Sequence, residues 1–200
     1  MHPAPQFHSS DRRRAEALID DVGFAMVFMT TPAGPRVAHT PLLRGGEGLV
    51  RFHLSLGNAL TKHLAGAHAL LVVNGGDAYI SPRWYSDPNQ VPTWNYIALE
   101  LEGPVRRIAP DETIAMLDAL TAIHEGRVRE GLPWTRDKMD PAKFHQMLSG
   151  IVGFEMEVRH WRPTLKLSQN KPEGERARLI SGLEAVGQPN IARLMHEAVR

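Results

Sequence analysis

The sequence predicts a mainly β, α+β fold: an antiparallel β-barrel with peripheral helices. Two observations carry this. Short runs rich in Val, Phe, Leu and Thr follow one another through tight Gly/Pro turns, with few helices between them, which is the pattern of an antiparallel rather than a doubly wound sheet. Six to eight such strands in 200 residues are best accommodated by closure, which removes exposed edges. The composition agrees: 42% apolar and 22% charged residues suit a folded globular chain long enough to bury its own core. Residues 1–200 are expected to form one domain, with helices over about 173–200 packed on the barrel.

The elements follow in order. A helix is expected from Asp11 to about Asp21, capped by Asp11 and apolar at Ala15, Leu18, Ile19 and Val22. FAMVFMT, RVAHTPLL and LVRFHLS are three strands joined by PAGP and GGEG turns. A short helix over NALTKHLAG is capped by Asn58 and stops at Gly66. ALLVVNG is an unbroken apolar run, expected to be buried on both faces, and AYISP, WNYIALELEG and PVRRIAP add further strand segments. Pro110 and Asp111 open a helix to about Glu125 with Ile114, Leu117, Leu120 and Ile123 as its apolar line, and Pro141 opens another in PAKFHQML. In IVGFEMEVRHW, alternation turns Phe154, Met156 and Val158 inward and Glu155, Glu157 and Arg159 outward. TLKLS is the last strand, and helices over about 175–186 and 191–199 close the chain.

Composition also excludes chemistry. The chain has no cysteine, so disulfides, thiolate nucleophiles and Cys-ligated zinc or iron–sulfur sites are ruled out together, and a reducing cytoplasmic location is expected. The net charge of +1 supplies no bulk field for a polyphosphate, and Arg12, Arg13 and Arg14 form a solvated helix turn rather than a nucleic-acid patch. No apolar run reaches the roughly 20 residues of a membrane span, and the N-terminus has neither a signal-peptide nor an anchor pattern. None of the ten histidines has a ligand-set spacing, so no metal is expected. No serine sits in a nucleophile elbow, GGEG lacks the lysine of a phosphate loop, and no catalytic acid or base stands out.

Three segments carry an excess of chemistry. YISPRWY, VPTWNY and KLSQN gather Trp84, Tyr85, Trp94, Asn95, Lys166, Ser168 and Gln169, and all three tyrosines lie between Tyr79 and Tyr96. Large rings beside amide, hydroxyl and basic groups suit a flat ligand with a polar edge, or else fill a barrel end and cap loops. HLSLGN, where a strand gives way to a helix, is the natural place for an anion, with His53, Ser55, Asn58 and Lys62 as side-chain donors. Asn58 as a simple cap is the plainer reading of the same residue.

The pieces AHTPLL, HLSLGN, YISPRWY, VPTWNY, LTAIHE, IVGFEMEV and KLSQNK, in this order, resemble the PaiB family of FMN-binding negative transcriptional regulators over the chain to about Leu183. The sequence departs from the family at Asn58-Ala59, where Asn-Pro is usual, in the short SDPNQ stretch, at ALELEG and at His2. The resemblance implies an antiparallel split β-barrel of the FMN-binding type, shared with pyridoxamine-phosphate oxidases, and a homodimer with FMN at the subunit seam. It implies that backbone groups near His39 and Thr40 lie along the isoalloxazine edge and that HLSLGN receives the phosphate, with His53 and Asn58 as donors. Trp94 and Asn95, with Lys166, Ser168 and Gln169 from a second subunit, would close the pocket. The function so implied is a flavin-linked regulator or redox protein. Its alternatives are a flavin-dependent reductase or oxidase of a small molecule, or a barrel that holds haem or another flat ligand. The sequence offers no helix-turn-helix for direct DNA binding; Arg176, Arg178, Arg193 and Arg200 lie on helices whose apolar stripes mark them as docking faces.

Overall fold

The computed structural model describes residues 2–198. Among these residues six α-helices and seven strands occur in the order α1 Arg12–Val22, β1 Phe24–Thr31, β2 Gly34–Arg44, β3 Leu49–Ser55, α2 Thr61–Leu64, β4 His68–Ile80, β5 Thr93–Arg107, α3 Pro110–Glu125, α4 Pro141–Leu148, β6 Ile151–Glu157, β7 His160–Lys166, α5 Glu173–Ala185 and α6 Pro189–Glu197. The hydrogen-bonded strand order is β4-β1-β2-β3-β6-β5-β7, and β4 also pairs with β5, so the order closes on itself as a barrel requires. Among the described residues no helix is long and apolar enough to cross a membrane.

The chain packs as two compact units. One comprises residues 16–73 and 101–161, the other the residues up to 15, 74–100 and those from 162 onward. In the first, β1 and β2 form a hairpin of eight paired positions from Phe24↔Pro41 to Thr31↔Gly34. The two-residue loop works because Gly34 supplies φ +94°, which a side chain would disfavour. β3 pairs with β6 along its whole length, and Phe52 and Phe154 stack at 5.6 Å in the centre of this core. α3 lies on it through Met116 and Leu120, which pack with Ile108. In the second unit, α5 and α6 pack through Leu179, Leu183, Ile191 and Met195, all buried. Gly182 on α5 faces the Trp84 indole so closely that a Cβ would stand 2.4 Å from Cδ2.

Several expectations are corrected. ALLVVNG and AYISP form one strand, β4, and WNYIALELEG and PVRRI form another, β5. β4 is not buried on both faces: Ala69, Leu71 and Val73 are buried while Leu70 and Val72 are only partly so, the alternation of a one-sided strand. On α3 the buried line is Thr113, Met116 and Leu120, and Ile123 is exposed, because the helix turns a different stripe to the sheet. Glu155 does not face outward to solvent. It is 4% exposed and bonds Arg51 Nε and Arg106 Nε, with Glu112 bridging the same two guanidiniums. The last strand begins at His160 and ends at Lys166, leaving Leu167 and Ser168 beyond it. The helix expected to reach Val199 extends to Glu197; Val199 and Arg200 lie outside the described residues. Arg176, on the docked face of α5 as its stripe indicates, is buried, and its guanidinium donates to the Met195 carbonyl.

Candidate functional site

AHTPLL lies on β2, where alternation exposes His39 and buries Thr40. His39 stacks on Phe24 of the neighbouring strand at 6.4 Å and 22°. The β2–β3 ladder runs only from Leu42↔Phe52 to Arg44↔Val50; beyond it the two strands are tied by Thr40 Oγ1, which donates to the His53 carbonyl at 2.6 Å. This tie fixes the backbone of His53. Its ring then enters a partly buried position where Nδ1 has no hydrogen-bond partner among the described residues. Burial pushes the imidazole below its usual range, so the ring is neutral at pH 7. A buried bare acceptor costs less than a buried bare N–H, which puts the proton on Nε2.

His53 lines a cavity of about 580 Å³ with Phe24, Pro41, Leu117, Leu120, His124 and Trp134 among its other walls. The size and the apolar walls with few polar groups are those of a small-molecule site. Gly23 shapes it: its φ of +62° turns the chain from α1 into β1, and a Cβ there would stand 2.8 Å from His124 Cε1. The Trp134 backbone N–H donates to Glu125 Oε2 at 2.7 Å, folding the segment after α3 back onto the helix. Thus AHTPLL and HLSLGN both reach one cavity, through Pro41 and His53. Phe24, His124 and Trp134 were not singled out from the sequence; LTAIHE, carrying His124 and Glu125 at the end of a helix, was the signal that pointed there.

The rest of HLSLGN is built differently from the expected anion site. The helix is a single turn, Thr61–Leu64, and its N-cap is Leu60 in helical conformation, not Asn58. Asn58 instead accepts from Leu60 N–H at 2.9 Å, and a four-residue helix contributes little dipole. The N–H groups of Leu56, Asn58 and Thr61 are bonded to Gly150, Ser55 and Asn58 carbonyls. Exposed Ser55 and Lys62 remain as side-chain donors there.

The remaining sequence-selected residues lie in the other unit, and their polar groups bond to one another. Asn95 is fully buried; its Nδ2 donates to Ser168 Oγ at 3.0 Å and lies 3.3 Å from Met195 Sδ. Ser168 sits at φ +58°, the one non-glycine residue in the left-handed region among those described. Burial raises the pKa of the Tyr85 hydroxyl, against the lowering effect of Ser168. Lys166 Nζ donates to Thr93 Oγ1 at 2.6 Å, and burial lowers its pKa. Gln169 accepts from Leu167 N–H and donates to the Leu165 and Gln6 carbonyls. Lys171 lies 5.2 Å over the Tyr85 ring. Trp94 stands apart: it is 53% exposed and meets Tyr79 edge-to-face at 6.1 Å. Among the described residues, no group of three or more His, Asp or Glu is placed to hold a metal ion.

Comparison with known proteins agrees with the strand order and the motifs. The fold matches that of the FAD and haem binding protein from Mycobacterium smegmatis (TM-score 0.62, 23% identity, 90% of this chain and 80% of that one). It also matches the flavocytochrome Anf3 from Azotobacter vinelandii (TM-score 0.61, 17% identity, 88% and 78%). These likenesses establish the split-barrel fold. In sequence the chain is similar to the Bacillus subtilis "Protease synthase and sporulation protein PAI 2", 30% identical over 189 residues, covering 91% of this chain and 90% of that one. The resemblance read from the motifs is borne out. Residues 1–160 match the family model described as "Putative FMN-binding domain", and the chain belongs to this family, whose cofactor is FMN.

Proposed function

We propose that this protein is a homodimeric FMN flavoprotein of the PAI 2 type that works through flavin redox chemistry, any effect on transcription being indirect. The single observation that carries the reading is the His53 ring, neutral and unpaired at Nδ1, on the wall of an apolar cavity of cofactor size. These residues fit a flavin. Phe24, Pro41 and Trp134 offer flat apolar contact, and His53 Nε2 offers one N–H to a polar ring edge. Thr40 holds His53 in place through its carbonyl, and His39 braces Phe24. Ser55, Asn58 and Lys62 are the side chains for the phosphate end, without help from a helix dipole. Bound FMN supplies reversible one- and two-electron chemistry; the protein supplies binding, orientation and exclusion of water.

Asn95, Lys166, Ser168 and Gln169 hold the fold of their own segment, and Trp94 is the member left exposed for a second subunit. Exposed Phe24, Val128 and Leu132 on the cavity's own unit favour a subunit contact there. A second reading, haem in the same cavity, is favoured by one observation: His53 and His124 both line it, and an imidazole nitrogen from either would be able to ligate haem iron.

The test is an absorbance spectrum of the purified protein followed by FMN titration, with molar mass from sedimentation. The reading expects a flavin spectrum or saturable FMN uptake in a dimer. Absence of uptake overturns it, and a Soret band without flavin would put haem in its place. Salt-dependent binding to a DNA duplex would overturn the indirect route to transcription.

A further inference from the structure

A second cavity, of about 550 Å³, opens between α3 and the segment leading into α4, with Asp118, Trp134, Arg136, Asp137, Phe144 and His145 in its walls. It shares Thr121 and Trp134 with the His53 cavity. Arg136 is held twice. Its Nε and Nη2 donate to the two oxygens of Asp118 at 3.0 Å each, and its guanidinium carbon lies 5.1 Å over the Phe144 ring. The plane is therefore fixed, and Nη1 is left as a donor with no partner among the described residues. Because Asp118 neutralises Arg136, the ionised wall carries one net negative charge, that of Asp137. Hydrogen bonds from the Thr135 side chain and its own backbone hold the Asp137 carboxyl below the usual range.

We propose that this cavity binds a planar aromatic cation bearing a carbonyl group. Trp134 provides a face for a cationic ring, Asp137 offsets its charge, and Arg136 Nη1 donates to the carbonyl oxygen. An anionic ring would meet Asp137, since the one cation in the walls, Arg136, is held by Asp118, and Lys138, the cation beside Asp137, lies outside the lining and donates to the Pro133 carbonyl. The assignment goes beyond the flavin reading and does not depend on it.

The probe is 1-methylnicotinamide, a ring cation with a carboxamide, titrated into the purified full-length protein by tryptophan fluorescence and by calorimetry. Nicotinate, a ring of the same size with a negative charge, is the control. The expected result is saturable quenching by the cation and affinity for nicotinate at least about 10-fold weaker. The double variant Asp118→Asn/Arg136→Ala, which removes the donor while leaving the wall at one net negative charge, weakens the cation about 10-fold, and Asp137→Asn, at an exposed position, weakens it about 3-fold. Trp134→Phe removes the fluorescence change while heat of binding persists. Absence of saturation, equal affinity for nicotinate, or wild-type binding by both Asp118→Asn/Arg136→Ala and Asp137→Asn overturns the proposal. Because FMN uptake is read separately on the same protein, either reading can fail alone.

Discussion

The Asn95 cluster and the His53 cavity are both rich in polar groups and rings, yet they treat their polar groups in opposite ways. Around Asn95 the side-chain amides, hydroxyl and ammonium are engaged, Asn95 with Ser168, Lys166 with Thr93 and Gln169 with three backbone groups, and only Arg176 Nε, on the guanidinium that bonds the Met195 carbonyl, is buried there without a partner among the described residues. A buried polar network that is fully satisfied rigidifies and specifies a segment. It accommodates even the left-handed backbone of Ser168. Around His53 one strand-to-strand bond fixes the backbone, and the ring itself bonds to no described residue. The comparison teaches that density of chemical groups is a poor guide to a ligand site. What distinguishes the two regions is whether those groups are already bonded to one another.

The comparison can be broken most forcefully at Asn95. Asn95→Leu deletes its bonds and leaves Ser168 Oγ buried, so unfolding free energy in urea should fall by about 3 kcal/mol while FMN affinity of the folded fraction stays within about twofold. A large loss of FMN affinity without loss of stability would place Asn95 in the site instead. Glu155→Gln asks whether satisfaction, rather than location, is what matters, because Glu155 lies in the cavity's own unit but is paired with two arginines. It should cost about 2 kcal/mol, below the full value for a buried pair since both arginines reach solvent. His53→Ala should do the reverse: stability nearly unchanged, FMN affinity about 10-fold weaker, or about 1.4 kcal/mol.

The smallest expected effect is on pH dependence. The folded-state pKa of His53 lies below its unfolded value of 6.5 because of burial. As pH falls, the unfolded chain therefore takes up this proton first, so the contribution is full above 6.5 and is lost as pH drops through the folded pKa. Urea midpoints should fall between about pH 7 and about pH 5, and the slope should be shallower in His53→Gln. Equal slopes would mean that the ring titrates alike in both states.

Much of the fold was legible because it rests on local pattern. The β1–β2–β3 meander follows from strand runs and Gly turns, and α3 and α4 begin at Pro110 and Pro141 as the sequence indicates. Asp11 caps α1 as expected, accepting from Arg13 N–H at 3.0 Å. What was hidden depends on distant partners. Gly75-Gly76 looks like a turn, but β4 runs through it with Gly76 at φ +112°. Gly103 looks like a strand end, but β5 continues because the backbone at Glu157 passes where a Cβ would be, 1.9 Å from its carbonyl oxygen. Glu155 obeys alternation and is still buried, since two arginines cover it.

The candidate site was legible by half. Pro41 and His53 sit in motifs chosen for their chemistry, whereas Phe24, Leu117 and Trp134 are ordinary core or loop residues until α3 and the segment after it bring them to one cavity. Conversely, Lys166, Ser168 and Gln169 attract notice in KLSQN, and no pattern in the sequence reveals that their partners are Thr93, Asn95 and Gln6.

The most direct test is a pair of FMN binding isotherms, wild type and His53→Ala, read by flavin fluorescence with urea denaturation run on the same preparations. The account predicts saturable binding by the wild type and about 10-fold weaker binding by the variant at matched stability. Identical isotherms from two equally stable proteins would contradict it and move the flavin away from the His53 cavity.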